Sequence, residues 1–201
     1  MVSLFVAIFI KYIILNITMS THTLERGLIV YAFGADPENP VNQALAEHAM
    51  TTYRHYGDGL LVVAQDEVAQ NLEGQLPSEH LVAVGANHEG DYLNTADIGV
   101  EGLLALASKD RVLVGAQSIH AIRATIWTRS LAKAIGITDV SRASDLPKGY
   151  APTDPQSHVR SQGSFLPREV VAMAATPLVL PKAKRRLLGD LATQPLRWQK
   201  D

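Results

Sequence analysis

His120 and Arg123 stand three residues apart in the stretch Arg111-Val-Leu-Val-Gly-Ala-Gln-Ser-Ile-His-Ala-Ile-Arg-Ala-Thr-Ile-Trp-Thr-Arg129. An imidazole titrates near neutrality and a guanidinium carries a permanent forked charge, so the pair suits acid/base work beside an anion. The residues around them predict a short buried strand over 112–115 running into a helix that opens at Ser118, whose hydroxyl can cap the first turn. At 100° per residue, Ala124, Trp127, Leu131, Ala134 and Ile135 make an apolar stripe; His120 lies on its line and Arg123 at its edge. A strand-end loop, a helix N-terminus, His120 and Arg123 together read as an anion site. The competing reading is structural: a half-buried histidine bonded to backbone, with an arginine reaching past it to water.

Other residue clusters carry weaker chemistry. Glu89 forms an acid/base pair with His120 if their loops meet. His88, Glu89 and Asp91 have the donors for a divalent cation, but they sit in one loop without helical spacing, which disfavours a metal. His48 and His55 read as surface or packing residues. The loop after the first strand has one glycine where a dinucleotide fingerprint needs three, and no Gly-Lys-Ser/Thr follows it. Gln117-Ser-Ile-His120 lacks the Gly-x-Ser-x-Gly elbow of α/β-type serine hydrolases. No motif names a cofactor.

The elements that must position these residues follow a simple alternation. Residues 28–33, 60–64, 80–84 and 112–115 are apolar runs of strand length, a short fifth strand fits 136–140, and helical patterns fill 41–56, 66–73, 96–108 and 118–135. Strand and helix in turn predict an α/β fold: a three-layer, Rossmann-like parallel sheet of about five strands with helices on both faces. Ligands of such sheets lie beyond the strands' carboxyl ends, where the strand order reverses. Four loops then share one rim, carrying Gly34, Asp36 and Asn42; Gln65 and Asp66; Glu89, Asn94 and Thr95; and Gln117, His120 and Arg123. If the first and fourth strands are neighbours, Gly34 faces His120.

The chain has 201 residues, 18 basic against 20 acidic, and no cysteine. That length supports one α/β domain with appendages. Near-balanced charge argues against nucleic acid, and the absence of cysteine excludes disulfides and thiolate chemistry. Residues 1–19 hold an apolar run, 2–17, broken by Lys11; about 20 such residues span a bilayer, and a central lysine costs about 2.5–3.5 kcal/mol on insertion scales. The run reads as a membrane anchor, as a buried extra helix, or as an extension upstream of a start at Met19. The first places the chain on the inner membrane and the last in the cytoplasm. The α/β domain takes 20–141. Residues 142–201 form an irregular, proline-rich and then helical extension, with a helix over 165–175 that Pro177 and Pro181 end, and a last short helix that begins with the basic Lys182-Ala-Lys-Arg-Arg186.

With those residues in view, the chain resembles the SanA/ElyC/YdcF family of bacterial α/β proteins, a domain of unknown function. Glu89 followed by Asn94-Thr95 is similar to its Glu…Asn-Thr segment, Gln117-Ser-Ile-His-Ala-Ile-Arg-Ala124 to its Ser-x-x-His-x-x-Arg-Ala segment, and Phe33-Gly34 to its opening Leu-Gly loop. Asp154-Pro-Gln-Ser157 to Phe165-Leu-Pro-Arg-Glu169 resembles the C-terminal extension of some members. The chain departs from the family where Val63-Ala-Gln-Asp-Glu67 replaces Ser-Gly-Gly, and in lacking an arginine on the first helix. The resemblance implies a Rossmann-like fold and a site built by Asn94, Thr95, His120 and Arg123. It also implies a link to cell-envelope biogenesis, with nucleotide-like or S-adenosylmethionine binding in some members. The expectation is a protein that binds an anionic small molecule (nucleotide-like, S-adenosylmethionine, or a sugar or prenyl phosphate) and acts as a transferase or hydrolase. In it Arg123 meets the anion, His120 and Glu89 do acid/base work, and Gly34, Asn42, Gln65, Asp66, Asn94, Thr95 and Gln117 line the site. The alternative is a non-catalytic, membrane-anchored envelope factor binding a lipid-linked sugar or a protein partner.

Overall fold

Branched and apolar residues that would be poorly solvated on a surface make up most of four short strands, β1 (Arg26–Val30), β2 (Leu60–Gln65), β3 (Leu81–Val84) and β4 (Arg111–Gly115), and a more polar fifth, β5 (Asp139–Arg142), buries Val140. The structure is a computed structural model and describes residues 26–85 and 95–193. All five strands pair in parallel, in the order β3-β2-β1-β4-β5. The helices are α1 (Pro40–Tyr56), α2 (Asp66–Leu72), α3 (Thr95–Ala105), α4 (His120–Ala132), α5 (Gln162–Ala174) and α6 (Thr176–Thr193).

Alternate strand residues point to opposite faces, and helices cover both. Leu28, Val30, Val62, Ala64 and Leu113 pack with Leu45, Ala49, Val68 and Leu72 of α1 and α2. Ile29, Val63, Val112 and Val114 pack with Ile98, Leu103, Trp127, Leu131 and Leu187 of α3, α4 and α6. Each fully buried aliphatic side chain contributes roughly 1.5–3 kcal/mol over an exposed one. The result is the three-layer, Rossmann-like α/β fold. On one face the helix comes very close: a Cβ on Gly102 of α3 would lie 2.9 Å from Ile29 Cδ1.

Strand order reverses between β1 and β4. Val30 of β1 is level with Ala64 of β2 on one side and Gly115 of β4 on the other. The loops leaving β1 and β4 therefore diverge from adjacent strand ends and open a crevice between them.

Several local features differ from the sequence reading: the first strand, Arg26–Val30, ends before the expected 33, and α5 begins at Gln162 rather than 165. The fifth strand lies at Asp139–Arg142, later than 136–140. Pro177 and Pro181 do not keep the chain out of helix: α6 runs 18 residues through both, with Pro177 in the first turn, where the amides have no intrahelical partner to lose. Ser118 is not the cap of α4. Gln117 does that work, its Oε1 accepting from Ile119 N at 2.8 Å and His120 N at 3.1 Å. The chain after β5 completes both cores, through Ala151, Val159 and Phe165 on one face and Ala183 and Leu187 on the other. The apolar run at 2–17 lies outside the described residues; among those that are described, no helix is long and apolar enough to cross a membrane.

Candidate functional site

The loop after β1 is fixed by amides buried beneath it. Asn39 caps α1, its Oδ1 accepting from Val41 N and Asn42 N at 2.9 and 2.8 Å, and its Nδ2 donates to Phe33 O at 2.8 Å. Asn42 Oδ1 accepts from Phe33 N at 2.8 Å while its Nδ2 donates to Asp36 O at 2.9 Å. Asn42 therefore spends both ends of its side chain on the loop rather than on a ligand.

That loop presents successive amides to a carboxylate of its own chain. Asp154, fully buried, accepts from Ala35 N at 3.3 Å, Asp36 N at 3.2 Å, Asn39 Nδ2 at 2.9 Å and Gln156 N at 2.8 Å. Gly34 makes this possible. Its φ of +96° is a left-handed conformation, and a Cβ there would run into the Asp154 carboxylate. Consecutive loop amides of this kind are a place where phosphate groups bind; here Asp154 occupies it.

On the other side of the reversal, α4 starts at His120 and carries it beside Arg123 on the next turn. A second internal carboxylate meets them. Arg123 Nε donates to Glu169 Oε2 at 2.9 Å and Nη2 to Glu169 Oε1 at 2.7 Å, while Nη1 donates to Thr95 Oγ1 at 2.9 Å. His120 Nδ1 lies 3.2 Å from Glu169 Oε1 and 3.1 Å from Arg123 Nη2. A carboxylate accepts more strongly than an imidazole nitrogen, so both the guanidinium and the His120 Nδ1–H donate to Oε1, which leaves the Nε2 lone pair for other chemistry. Aromatic edges surround the ring, Tyr31 at 6.2 Å and Phe165 at 6.4 Å between centroids. The Arg123 guanidinium stacks 5.0 Å over Trp127.

Electrostatics follow from this burial. For Glu169, burial alone would raise the carboxyl, but the hydrogen bonds from Arg123 and His120 outweigh it and hold the group down at about 2. For His120, burial lowers the imidazolium below its ordinary value; the Glu169 hydrogen bond opposes this and the Arg123 charge adds to it. His120 is thus neutral, and Glu169 charged, at pH 7.

Between the two loops lies a cleft of 670 Å³, within the range of small-molecule sites. Gly34, Gln65, Thr95, His120 and Arg123 line it, with Phe165, Arg168 and Glu169 of α5 as its roof. Gln65 also accepts from Ala32 N at 3.1 Å. Asp66 instead faces Gln70, 3.0 Å away, and its neighbour Glu67 lines the cleft. The Glu67 Oε2 is buried without a hydrogen-bond partner among the described residues, and burial raises its carboxyl. Gln117 turns away, its Nε2 donating to Gly149 O at 3.2 Å. At the mouth, Arg168 Nη1 meets His158 Nδ1 at 2.7 Å. Glu89 and Asn94, with His88 and Asp91, lie outside the described residues.

Sequence reasoning named the rim residues of α3 and α4 but not Asp154, Glu169, Glu67, Arg168 or His158 as parts of the site. Glu67 carried a usable signal, an acid just past the second strand. Asp154 and Glu169 carried none beyond the resemblance of their segment, because their partners are 118 and 46 residues away. Compared with models of known families and with curated proteins, the chain finds no match.

Proposed function

We propose that this chain is a SanA/ElyC/YdcF-like protein that binds a phosphorylated or nucleotide-like small molecule in the rim cleft and transfers or hydrolyses a group on it, in chemistry of the cell envelope. The observation that carries this reading is the Arg123–Glu169–His120 network at the strand-order reversal. It fixes a neutral imidazole with Nδ1 held by a carboxylate, the arrangement in which Nε2 serves as a general base. In this reading Arg123 acts on the ligand through Glu169 and His120. Arg168 at the mouth meets the anionic group, and Gln65 and Thr95 orient the ligand.

The test is a thermal-shift screen of the full chain against nucleotides, S-adenosylmethionine, sugar phosphates and prenyl phosphates. A ligand binding only the native state at a hundredfold excess over its dissociation constant stabilises by about 2.7 kcal/mol. A hit that Arg168→Ala weakens, and whose turnover His120→Ala abolishes while binding persists, supports the proposal. A hit without turnover moves the chain to the non-catalytic reading. No hit from any of these classes overturns it.

A further inference from the structure

The described chain exposes seven large apolar side chains, and all of them fall on three helices that pack against one another. Ile122 and Ile126 are on α4, Val170, Val171 and Met173 on α5, and Leu178 and Leu188 on α6. Singly exposed apolar residues are ordinary, but their gathering on adjoining helices marks a surface that meets something.

The helical geometry sharpens the point. Phe165 and Glu169 are the buried residues of α5. At 100° per residue the opposite side holds Pro167, Val170, Val171 and Ala174, all exposed and all apolar, with Val170 and Val171 about two thirds exposed at 67% and 68%. A water-facing helix ordinarily has its polar residues there. The exposed apolar strip continues through Pro177, Leu178, at 82% exposed, and Pro181 into α6.

Charge identifies the occupant. Over α5 and α6, residues 162 to 193, the chain has five cations, Arg168, Lys182, Lys184, Arg185 and Arg186, against two acids, Glu169 and Asp190, whereas the whole chain is at −2. Glu169 is buried on Arg123, so it adds no negative charge outside, and Asp190 is ion-paired to Arg186 at 3.6 Å. Arg186 is bound to Asp97 and Glu101 of α3; Lys182 and Arg185 project to solvent. By helical spacing Leu178, Arg185 and Leu188 share the exposed side of α6, opposite the buried Ala183 and Leu187. An apolar strip bordered by Lys182 and Arg185, with Asp190 off its line and paired to Arg186, matches a layer of anionic headgroups over acyl chains. A second copy of the chain would satisfy the apolar strip but brings the same cations with it.

We infer that the outward sides of α5 and α6 form a docking surface for an anionic lipid bilayer. Val170, Val171 and Leu178 enter the headgroup–acyl boundary, and Lys182 and Arg185 meet the headgroups. The surface is built from residues other than the apolar run at 2–17, and it lies on the outside of the helix that roofs the cleft. It stands whether or not the cleft binds a phosphorylated ligand.

The chain has no cysteine, so Leu178→Cys in the full-length protein takes a single environment-sensitive fluorophore at a position too exposed to disturb the core. Glu73→Cys, beyond α2 on the other face of the sheet, is the reference site. With phosphatidylglycerol/phosphatidylethanolamine vesicles, the probe at position 178 shifts to the blue and the one at position 73 does not; phosphatidylcholine vesicles give neither shift. Adding Lys182→Gln and Arg185→Gln to the Leu178→Cys protein weakens the response by about thirtyfold. No shift at 178, or an equal shift with both lipids that ignores the two charge substitutions, overturns the inference. So does a shift without vesicles that grows with protein concentration alongside a doubled mass, which assigns the face to a second copy.

Discussion

Arg123 and Glu169, 46 residues apart in the chain, are joined by two hydrogen bonds of 2.9 and 2.7 Å that match a planar guanidinium to a planar carboxylate. Glu169 comes from α5, beyond the sheet, and occupies the arginine on which an anion site was expected. Asp154 does the same for the amides of the first loop. Two carboxylates of the C-terminal chain thus sit on the two anion-binding features of the rim, and each positions something else. Glu169 orients His120; Asp154 holds the loop that borders it.

The first prediction concerns the pair itself. Both side chains are about nine-tenths buried, so Glu169→Ala leaves a buried guanidinium without its acceptor and costs about 3–5 kcal/mol. Replacing both, as Arg123→Met with Glu169→Leu, costs far less than the two single changes together, by about 1–3 kcal/mol of coupling. Urea denaturation of the natural protein, Arg123→Met, Glu169→Leu and the double variant measures this coupling. Strict additivity would show that the two residues do not act as a unit.

Acid should expose the same interaction. The Glu169 carboxyl falls from an ordinary 4.5 to about 2 in the folded protein. A depressed folded value means its stabilising contribution is complete above about pH 4.5 and is lost as pH drops toward 2. The stability gap between the natural protein and Glu169→Gln is therefore widest near neutrality and narrows from pH 4.5 to pH 3. A gap that stays constant over that range contradicts the assignment.

How far the sequence reveals this arrangement depends on the range of the interactions. Parallel strands leave unbroken apolar runs such as Leu28–Ile29–Val30, and the turns between them are local, so the layers follow from pattern, while the pairing of β1 with β4 is only one of the strand orders that pattern allows. His120 and Arg123 are legible because one helical turn relates them. Their partner is not: a lone Glu beside Arg168 on an amphipathic segment carries no mark of which cation it will reach. Asp154 is equally opaque, since it lies in a proline-rich stretch with no period to read. The cap of α4 misleads for a local reason. Ser118 has the usual chemistry, but the longer Gln117 side chain folds back over two amides and also ties the turn to Gly149.

His120 offers a spectroscopic prediction. Its folded value lies below the ordinary 6.5, because burial and the Arg123 charge outweigh Glu169. As pH falls through 6.5 the unfolded chain takes up the proton first, so this histidine lowers stability below that pH and has no effect above it. Nitrogen-15 spectra at pH 7 are expected to show a neutral ring with the proton on Nδ1, with titration beginning only below 6.5. A proton on Nε2, or a midpoint above 6.5, removes the basis for His120 as a base in the cleft.

The last prediction turns on Asp154. Four donors converge on its carboxylate, and Asp154→Ala strands them in a buried place, where each unsatisfied donor costs about 1–3 kcal/mol; water recovers part of this, and a net loss of about 3 kcal/mol or more is expected. The vacated position keeps the Ala35 and Asp36 amides, which meet Oδ1 and Oδ2 respectively, aimed into one space beside Gly34, a geometry that receives phosphate oxygens. Millimolar phosphate should therefore raise the melting temperature of Asp154→Ala by several degrees more than that of the natural protein, and Asp154→Asn, which keeps one accepting oxygen, should fall between them. If phosphate moves all three equally, the loop amides are not an anion cradle, and Asp154 is only a tie between the C-terminal chain and the first loop.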